Sequence, residues 1–340
     1  MNALKNLQNA LSKFVQVNLG HLPTPLEAMP NLGAELGLDL WVKRDDCTGV
    51  GMGGNKVRQL AFFFGAAKAQ GADCVLITGA VQSNFVRTTA AFAAKCKMEC
   101  HIQLEERVPD VSDLYRNNGN VLLSRLFGAK LYSYPTGEDE AGADAALGRL
   151  AEKLQNAGKT PFIVKLGIAS APLGALGYVA AAAEIVAQAK DMPPFDEIIV
   201  PSGSALTHAG LLFGLRALGD HTPVRGICVR RNAELQNPRV AKKLAEISEM
   251  LSVDAGIKSL DISVFDGVLD PGYGQVSKAV VAAIKSCASR EGLLLDPVYT
   301  GKSMAGLMAL SRGEKLRGKR ILFWHTGGSP ALFAYADQLL

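Results

Sequence analysis

Short apolar, β-branched runs recur along the chain at residues 40–43, 74–78, 101–104, 162–164, 197–200, 226–229 and 321–324. Each is strand-sized. Between them lie amphipathic or small-residue stretches at 56–69, 85–97, 141–156, 174–189, 207–218 and 276–290, long enough to be helices. Strands alternating with helices predict a parallel α/β architecture. Polar, Gly-rich stretches at 134–142 and 170–174 interrupt the alternation near the middle, where a domain edge is expected.

Composition narrows the partners. The 340 residues are 48% hydrophobic and 20% charged, ample for a packed core, and 36 basic against 32 acidic residues leave a formal charge of +4. The charges are scattered, with no basic run suited to nucleic acid or a membrane surface, so a small-molecule partner is expected. Residues 1–19 mix Asn, Lys and Gln into their apolar positions, unlike a signal peptide, which favours a cytoplasmic enzyme. The six cysteines sit mostly in apolar segments without a CxxC pair and are read as reduced, packed thiols. Cys96, Cys100 and His101 are near each other in sequence, but Cys100 and His101 fall on a strand and point to opposite faces, so no metal site is expected.

Four clusters carry candidate chemistry. The segment 50–58, Val-Gly-Met-Gly-Gly-Asn-Lys-Val-Arg, is a flexible loop able to approach a ligand closely, and it leads into a helix opened by Lys56. The positive end of the helix dipole favours the neutral amine that attacks an aldehyde, which makes Lys56 a Schiff-base candidate beside the plainer reading of an exposed lysine. Gly49, Gly51 and Gly54 also satisfy a dinucleotide-binding pattern. That fingerprint needs strand, turn and helix in immediate succession, whereas residues 44–48 intervene.

The second cluster, residues 78–84, follows a strand and places Gln82, Ser83 and Asn84 before the helix starting near Phe85, where they serve as N-cap, as carboxylate site, or as both. The third, residues 201–208 (Pro-Ser-Gly-Ser-Ala-Leu-Thr-His), repeats the arrangement with Ser204, Ala205, Leu206 and Thr207 at a strand's carboxyl end, a loop suited to phosphate. The fourth holds Tyr299 and Thr300 in 296–302 and Thr326 in 325–328, hydroxyls positioned to face a ring or to satisfy buried backbone.

In order along nearly the whole chain, these clusters resemble the D-cysteine desulfhydrase and 1-aminocyclopropane-1-carboxylate deaminase family, within the tryptophan-synthase-β-like, fold type II pyridoxal phosphate enzymes. The matching segments are Leu-Pro-Thr-Pro-Leu at 22–26, Lys-Arg-Asp-Asp at 43–46, Gly-Gly-Asn-Lys at 53–56, Gln-Ser-Asn at 82–84, Gly-Ala-Leu-Gly-Tyr at 174–178, Asp-Pro-Val-Tyr at 296–299 and His-Thr-Gly-Gly at 325–328. The resemblance implies two domains, each a mostly parallel twisted sheet flanked by helices. Residues 1–52 and 163–340 would form the larger, cofactor-binding domain, and 53–162 the smaller one, with Lys56 at its edge and the Ser-Asn loop. It implies that Lys56 holds pyridoxal 5'-phosphate as a Schiff base and that Ser83 and Asn84 meet the substrate carboxylate and the cofactor's phenolic oxygen. Residues 204–207 would hold the phosphate, Tyr299 would lie against the ring, and Thr300 and Thr326 would lie near its nitrogen. Family members also suggest a homodimer.

Details within the family point to chemistry. Ring-opening deaminases look to carry glutamate after the tyrosine and leucine after the histidine, where this chain has Thr300 and Thr326. A hydroxyl supports a milder electron sink, enough to expel a good leaving group from the β carbon of a small amino acid. Cys-Thr-Gly at 47–49, residues 100–106 and residues 118–121 are similar to the L-cysteate sulfo-lyase branch. Phe85 stands where histidine is usual, and Ile-Ala-Ser-Ala at 168–171 where Gly-Gly-Ser-Asn is usual. Neither Phe85 nor Ile168 can hydrogen-bond a sulfonate or thiolate, so a less polar or bulkier β substituent is expected. The expected function is α,β-elimination from a cysteine-type amino acid to pyruvate, ammonia and sulfide, thiol or sulfite. The alternatives are a cysteate lyase, a cyclopropane-acid deaminase, a pyridoxal phosphate-binding protein without turnover, or a nicotinamide enzyme.

Overall fold

A computed structural model describes residues 2–313 and 316–340. Its strands are β1 (Leu26–Ala28), β2 (Asp39–Arg44), β3 (Cys74–Ala80), β4 (Glu99–Glu105), β5 (Lys130–Tyr134), β6 (Pro161–Val164), β7 (Glu197–Ser202), β8 (Val224–Cys228), β9 (Ser263–Phe265) and β10 (Arg320–His325). They form a six-stranded sheet in the order β1-β2-β10-β7-β8-β9 and a four-stranded sheet in the order β5-β4-β3-β6. The pairings are parallel except β1 with β2. Parallel strands need crossovers, and the helices that supply them cover the sheet faces.

The central strands are apolar on both faces because helices cover both: Cys74 to Ala80 is buried throughout, as is Ile321 to His325. Core packing follows this layering. Leu322 and Trp324 of β10 join one apolar cluster with helices Leu176–Gln188 and Leu206–Ala217, while Ile321 and Phe323 join another with helices Lys278–Glu291 and Thr300–Ser311. A third cluster packs helices Lys56–Ala69 and Asn84–Cys96 against the four-stranded sheet.

Charge is buried as well. Asp45 accepts hydrogen bonds from Arg58 (Nε 3.0 Å, Nη2 2.8 Å), Trp324 Nε1 (2.8 Å), Thr24 Oγ1 (3.0 Å) and Tyr178. Arg58 also reaches both oxygens of Glu184 at 2.9 Å. Burial by itself would raise the Asp45 carboxyl, but the Arg58 guanidinium and these donors hold it below the usual carboxylate range. The network fixes helix Lys56–Ala69 to the six-stranded half of the molecule.

Every expected strand is present, and the expected helices appear with ends shifted by a few residues. The stretch 174–189 opens with a 3₁₀ turn, Leu173–Ala175, before its α-helix. β6 pairs with β3 as far as Val164. Several elements were not expected. β5 and β9 are short edge strands, and helix Ala233–Leu251 carries Pro238 in its second turn, where the ring has no N–H to give the Glu234 carbonyl. Cys100 belongs to the core of the four-stranded sheet, whereas His101 stacks on Tyr132.

Candidate active site

Lys56 is the first residue of its helix and faces the cleft between the two sheets, with its Nζ 4.9 Å from the centre of the Phe85 ring. Burial lowers its amine to about 8, so about a tenth is uncharged and nucleophilic at pH 7, far more than for an ordinary lysine. The glycines before it do something other than expected. Gly54 (φ 111°) lies where a Cβ would come within 3.1 Å of the Thr326 carbonyl, and a Cβ on Gly327 (φ 83°) would come within 2.6 Å of Gly54 Cα. They let two loops pass each other, and the Asn55 amide donates to the Thr326 carbonyl at 3.0 Å. The close approach seen at Gly54 is to another loop.

Across the cleft, β7 ends in the loop 203–205, and Ala205 adopts the left-handed conformation (φ 74°) as N-cap of helix Leu206–Ala217 without a side-chain cap. The first amides of that helix, from Leu206, Thr207 and His208, have no intrahelical acceptor. Thr207 Oγ1 accepts from Asn55 Nδ2 and Gln59 Nε2, both at 2.9 Å, so its own proton is left to donate elsewhere. Ser204, Ala205 and Thr207 line the cleft. The Leu206 side chain is in the core, leaving only its backbone to contribute. His208 braces the loop from behind between Ser202 Oγ and the Val224 carbonyl, and burial drops it to about 4, so it stays neutral.

At the end of β3, Ser83 caps helix Asn84–Cys96 by accepting from the amides of Phe85 (3.2 Å) and Val86 (3.5 Å), and it also lines the cleft. Its hydroxyl proton remains available. Asn84 Oδ1 accepts from Asn120 Nδ2 at 3.0 Å, which leaves the Asn84 amide nitrogen as the donor. Gln82 differs from expectation. Its Nε2 donates to the carbonyls of Tyr115 and Asn118, and its Oε1 accepts from Asn120 N. Both ends of its amide are spent holding the segment 115–120, so Gln82 is a structural residue here, not a substrate contact.

Tyr299 stands beside the phosphate-type loop, and its hydroxyl is 2.8 Å from that of Tyr273. Burial and the neighbouring Tyr273 keep Tyr299 protonated far above neutral pH. Thr300 also departs from expectation. Its hydroxyl donates to Asp296 Oδ1 and accepts from Asp296 N, both at 2.8 Å, closing the turn that presents Tyr299. That hydroxyl is consumed by the turn. Thr326 is buried, contributes its carbonyl to Asn55, and like Thr300 is not among the residues lining the cleft.

The sequence reading missed a charged wall. Arg107, Arg230, Arg231 and Arg239 line the cleft with Glu105, Glu140 and Asp144. Arg230, Arg231 and Arg239 all approach Glu140. An available signal was position: Arg230 and Arg231 follow the carboxyl end of β8, and Arg107 that of β4, where α/β sheets place ligand contacts. Phe85 does line the cleft, packed edge-on against Phe63. Ile168 is not among the described residues that line it, and the cleft sets charged side chains opposite the apolar Phe85.

These residues suit pyridoxal phosphate. A half-buried, cleft-facing amine of lowered basicity serves an aldehyde, and an uncapped helix start with an unspent threonine proton serves a phosphate. Relatives agree. The chain is 42% identical to the D-cysteine desulfhydrases of Salmonella choleraesuis and Salmonella typhi over 326 residues, 96% of this chain and 97% of each relative. An ACC deaminase homologue of known structure superposes with a TM-score of 0.88 at 36% identity, covering 98% of both chains. A fungal L-serine ammonia-lyase from Rhizomucor miehei shares the fold at a TM-score of 0.65 and 21% identity, over 96% of this chain and 98% of that one. The model of the family described as "Pyridoxal-phosphate dependent enzyme" matches residues 17–327. With its lysine and anion cradle facing one cleft, this chain belongs to the pyridoxal-phosphate dependent enzymes, in the fold type II architecture.

Proposed function

We propose that the chain catalyses α,β-elimination from D-cysteine or a closely related β-substituted alanine, taking up water and releasing pyruvate, ammonia and the sulfur leaving group. The observation that carries this reading is Lys56: a cleft-facing amine, lowered to about 8 by burial, between the Ser83 wall and the loop ending at Thr207. Pyridoxal phosphate supplies an electron sink for the α carbon when bound. The chain's residues do the rest. Lys56 Nζ takes the α proton, Ser83 Oγ and the Asn84 amide nitrogen hold the substrate and cofactor oxygens, and Tyr299 presents a neutral phenol to the departing group.

The identity to D-cysteine desulfhydrases supports sulfur as the leaving atom. The commitment of the Thr300 hydroxyl to Asp296 favours the milder elimination over cyclopropane opening. Incubation with D-cysteine should release pyruvate and sulfide in equal amounts, and Lys56→Ala should lose both turnover and the visible absorbance of the bound cofactor. Undiminished turnover by that variant would refute the assignment. The reading extends to a cytoplasmic homodimer with two domains meeting just after Val164. Light scattering at the mass of one chain would exclude the dimer.

A further inference from the structure

We infer that Arg230, Arg231 and Arg239 form an anion subsite at the mouth of the cleft, which takes the negatively charged end of a substrate's β substituent, and that Glu140 is its displaceable occupant. The inference rests on the cleft being the substrate cleft, as proposed above.

Arg107 is paired with Glu105, and among the described residues Asp144 makes no ion pair, so it is around Arg230, Arg231 and Arg239 that cations outnumber their ion-pair partners. Glu140 Oε1 is 2.8 Å from Arg230 and 2.5 Å from Arg231, and its Oε2 is 3.8 Å from Arg239. The other carboxylate in reach is Glu138, 2.9 Å from Arg230 but 70% exposed and therefore weakly coupled. Three guanidiniums, with side chains only 10%, 17% and 9% exposed, thus share one carboxylate that is itself 30% exposed. Their donors are underused. Among the described residues Arg230 Nε is buried with no partner, and Arg231 and Arg239 otherwise make only long contacts, 3.5 Å to the Gly203 carbonyl and 3.4 Å to the Ser204 carbonyl. Burial and the two neighbouring arginines push Arg231 down to about 10, consistent with a site short of negative charge.

The position separates this site from the cofactor cradle. These arginines touch the carbonyl side of loop 203–204, whereas the cradle is built from the helix amides and the Thr207 hydroxyl. The recognised group is a carboxylate or sulfonate, the planar or tripodal oxygen sets that guanidinium forks match.

The test uses the holoprotein and two non-reacting probes, malonate and methanesulfonate, titrated calorimetrically. At least one should bind. The double substitution Arg230→Gln and Arg231→Gln should weaken that binding about tenfold or more, and Glu140→Gln should tighten it, since a competing carboxylate is gone. Cofactor absorbance should be the same in all three proteins. In turnover, S-carboxymethylcysteine should show a lower KM than its neutral isostere S-carbamoylmethylcysteine, and the arginine substitutions should erase the difference. No anion binding, equal binding in every protein, or unchanged affinity in Glu140→Gln would overturn the inference. Loss of cofactor absorbance with the arginines would overturn it too, by assigning them to the cofactor phosphate. Absence of turnover on every substrate would count against the elimination reading alone, because the titrations judge the subsite without chemistry.

Discussion

The amine of Lys56 is tuned by where it sits: burial, with no carboxylate among the contributing groups, lowers it to about 8. The sign of two pH effects follows. Capture of pyridoxal phosphate by the apoprotein should accelerate as pH rises through about 8, since only the neutral amine attacks. A lysine whose folded basicity is depressed destabilises the fold while protonated in both states, and that cost falls away between about 8 and 10.5. Stopped-flow absorbance at a series of pH values checks the first. A capture rate flat from pH 6 to 9, about one unit or more either side of the expected midpoint, would mean the amine is neutral throughout. At the same scale, Phe85 presents an apolar ring face to the amine at 4.9 Å, a neighbour that does not titrate.

At the scale of elements, what was legible in the sequence was local. Strand ends followed by Gly, Ser, Thr or Asn mark helix starts because turn chemistry and capping involve neighbours only, which is why the loops at 82–84 and 203–207 could be read directly, and the glycines before Lys56 mark its helix start in the same local way. Helix Ala233–Leu251 was hidden by Pro238 and a largely polar surface. Helix Thr300–Ser311 was hidden by small residues, whose purpose is visible only in three dimensions: a Cβ on Gly306 would press within 2.9 Å of Ile227. The charged wall escaped for a related reason. Glu140 meets Arg230 and Arg231 across separations of 90 and 91 residues, and no local pattern announces such a pair. Likewise Gln82 and Thr300 look like ligand residues by position, but hydrogen bonds to segment 115–120 and to Asp296 use them up.

For the whole molecule, the buried network of Thr24, Asp45, Arg58 and Glu184 joins segments more than a hundred residues apart beneath the cleft. Asp45→Asn should cost about 3 kcal/mol in chemical denaturation, because Arg58, Trp324 and Tyr178 keep their donors while the charge that answers them is gone. Above its ordinary unfolded value Asp45 contributes stability, and that contribution is lost as pH falls through its lower folded value. The wild type should therefore lose its advantage over the variant in strong acid. A variant as stable as wild type at neutral pH would show the network to be dispensable.

The bonds from Asn55 and Gln59 to Thr207 have a different kind of consequence. They flank Lys56 in sequence and tie the turn that carries the proposed attachment point to the loop proposed to grip the anion. If those assignments hold, the spacing between attachment and grip is set before anything binds and would work as a length gauge: an aldehyde with an anionic arm of the matching reach would engage both ends, and the same vitamin without its phosphate only one, so discrimination by size as well as by charge is expected.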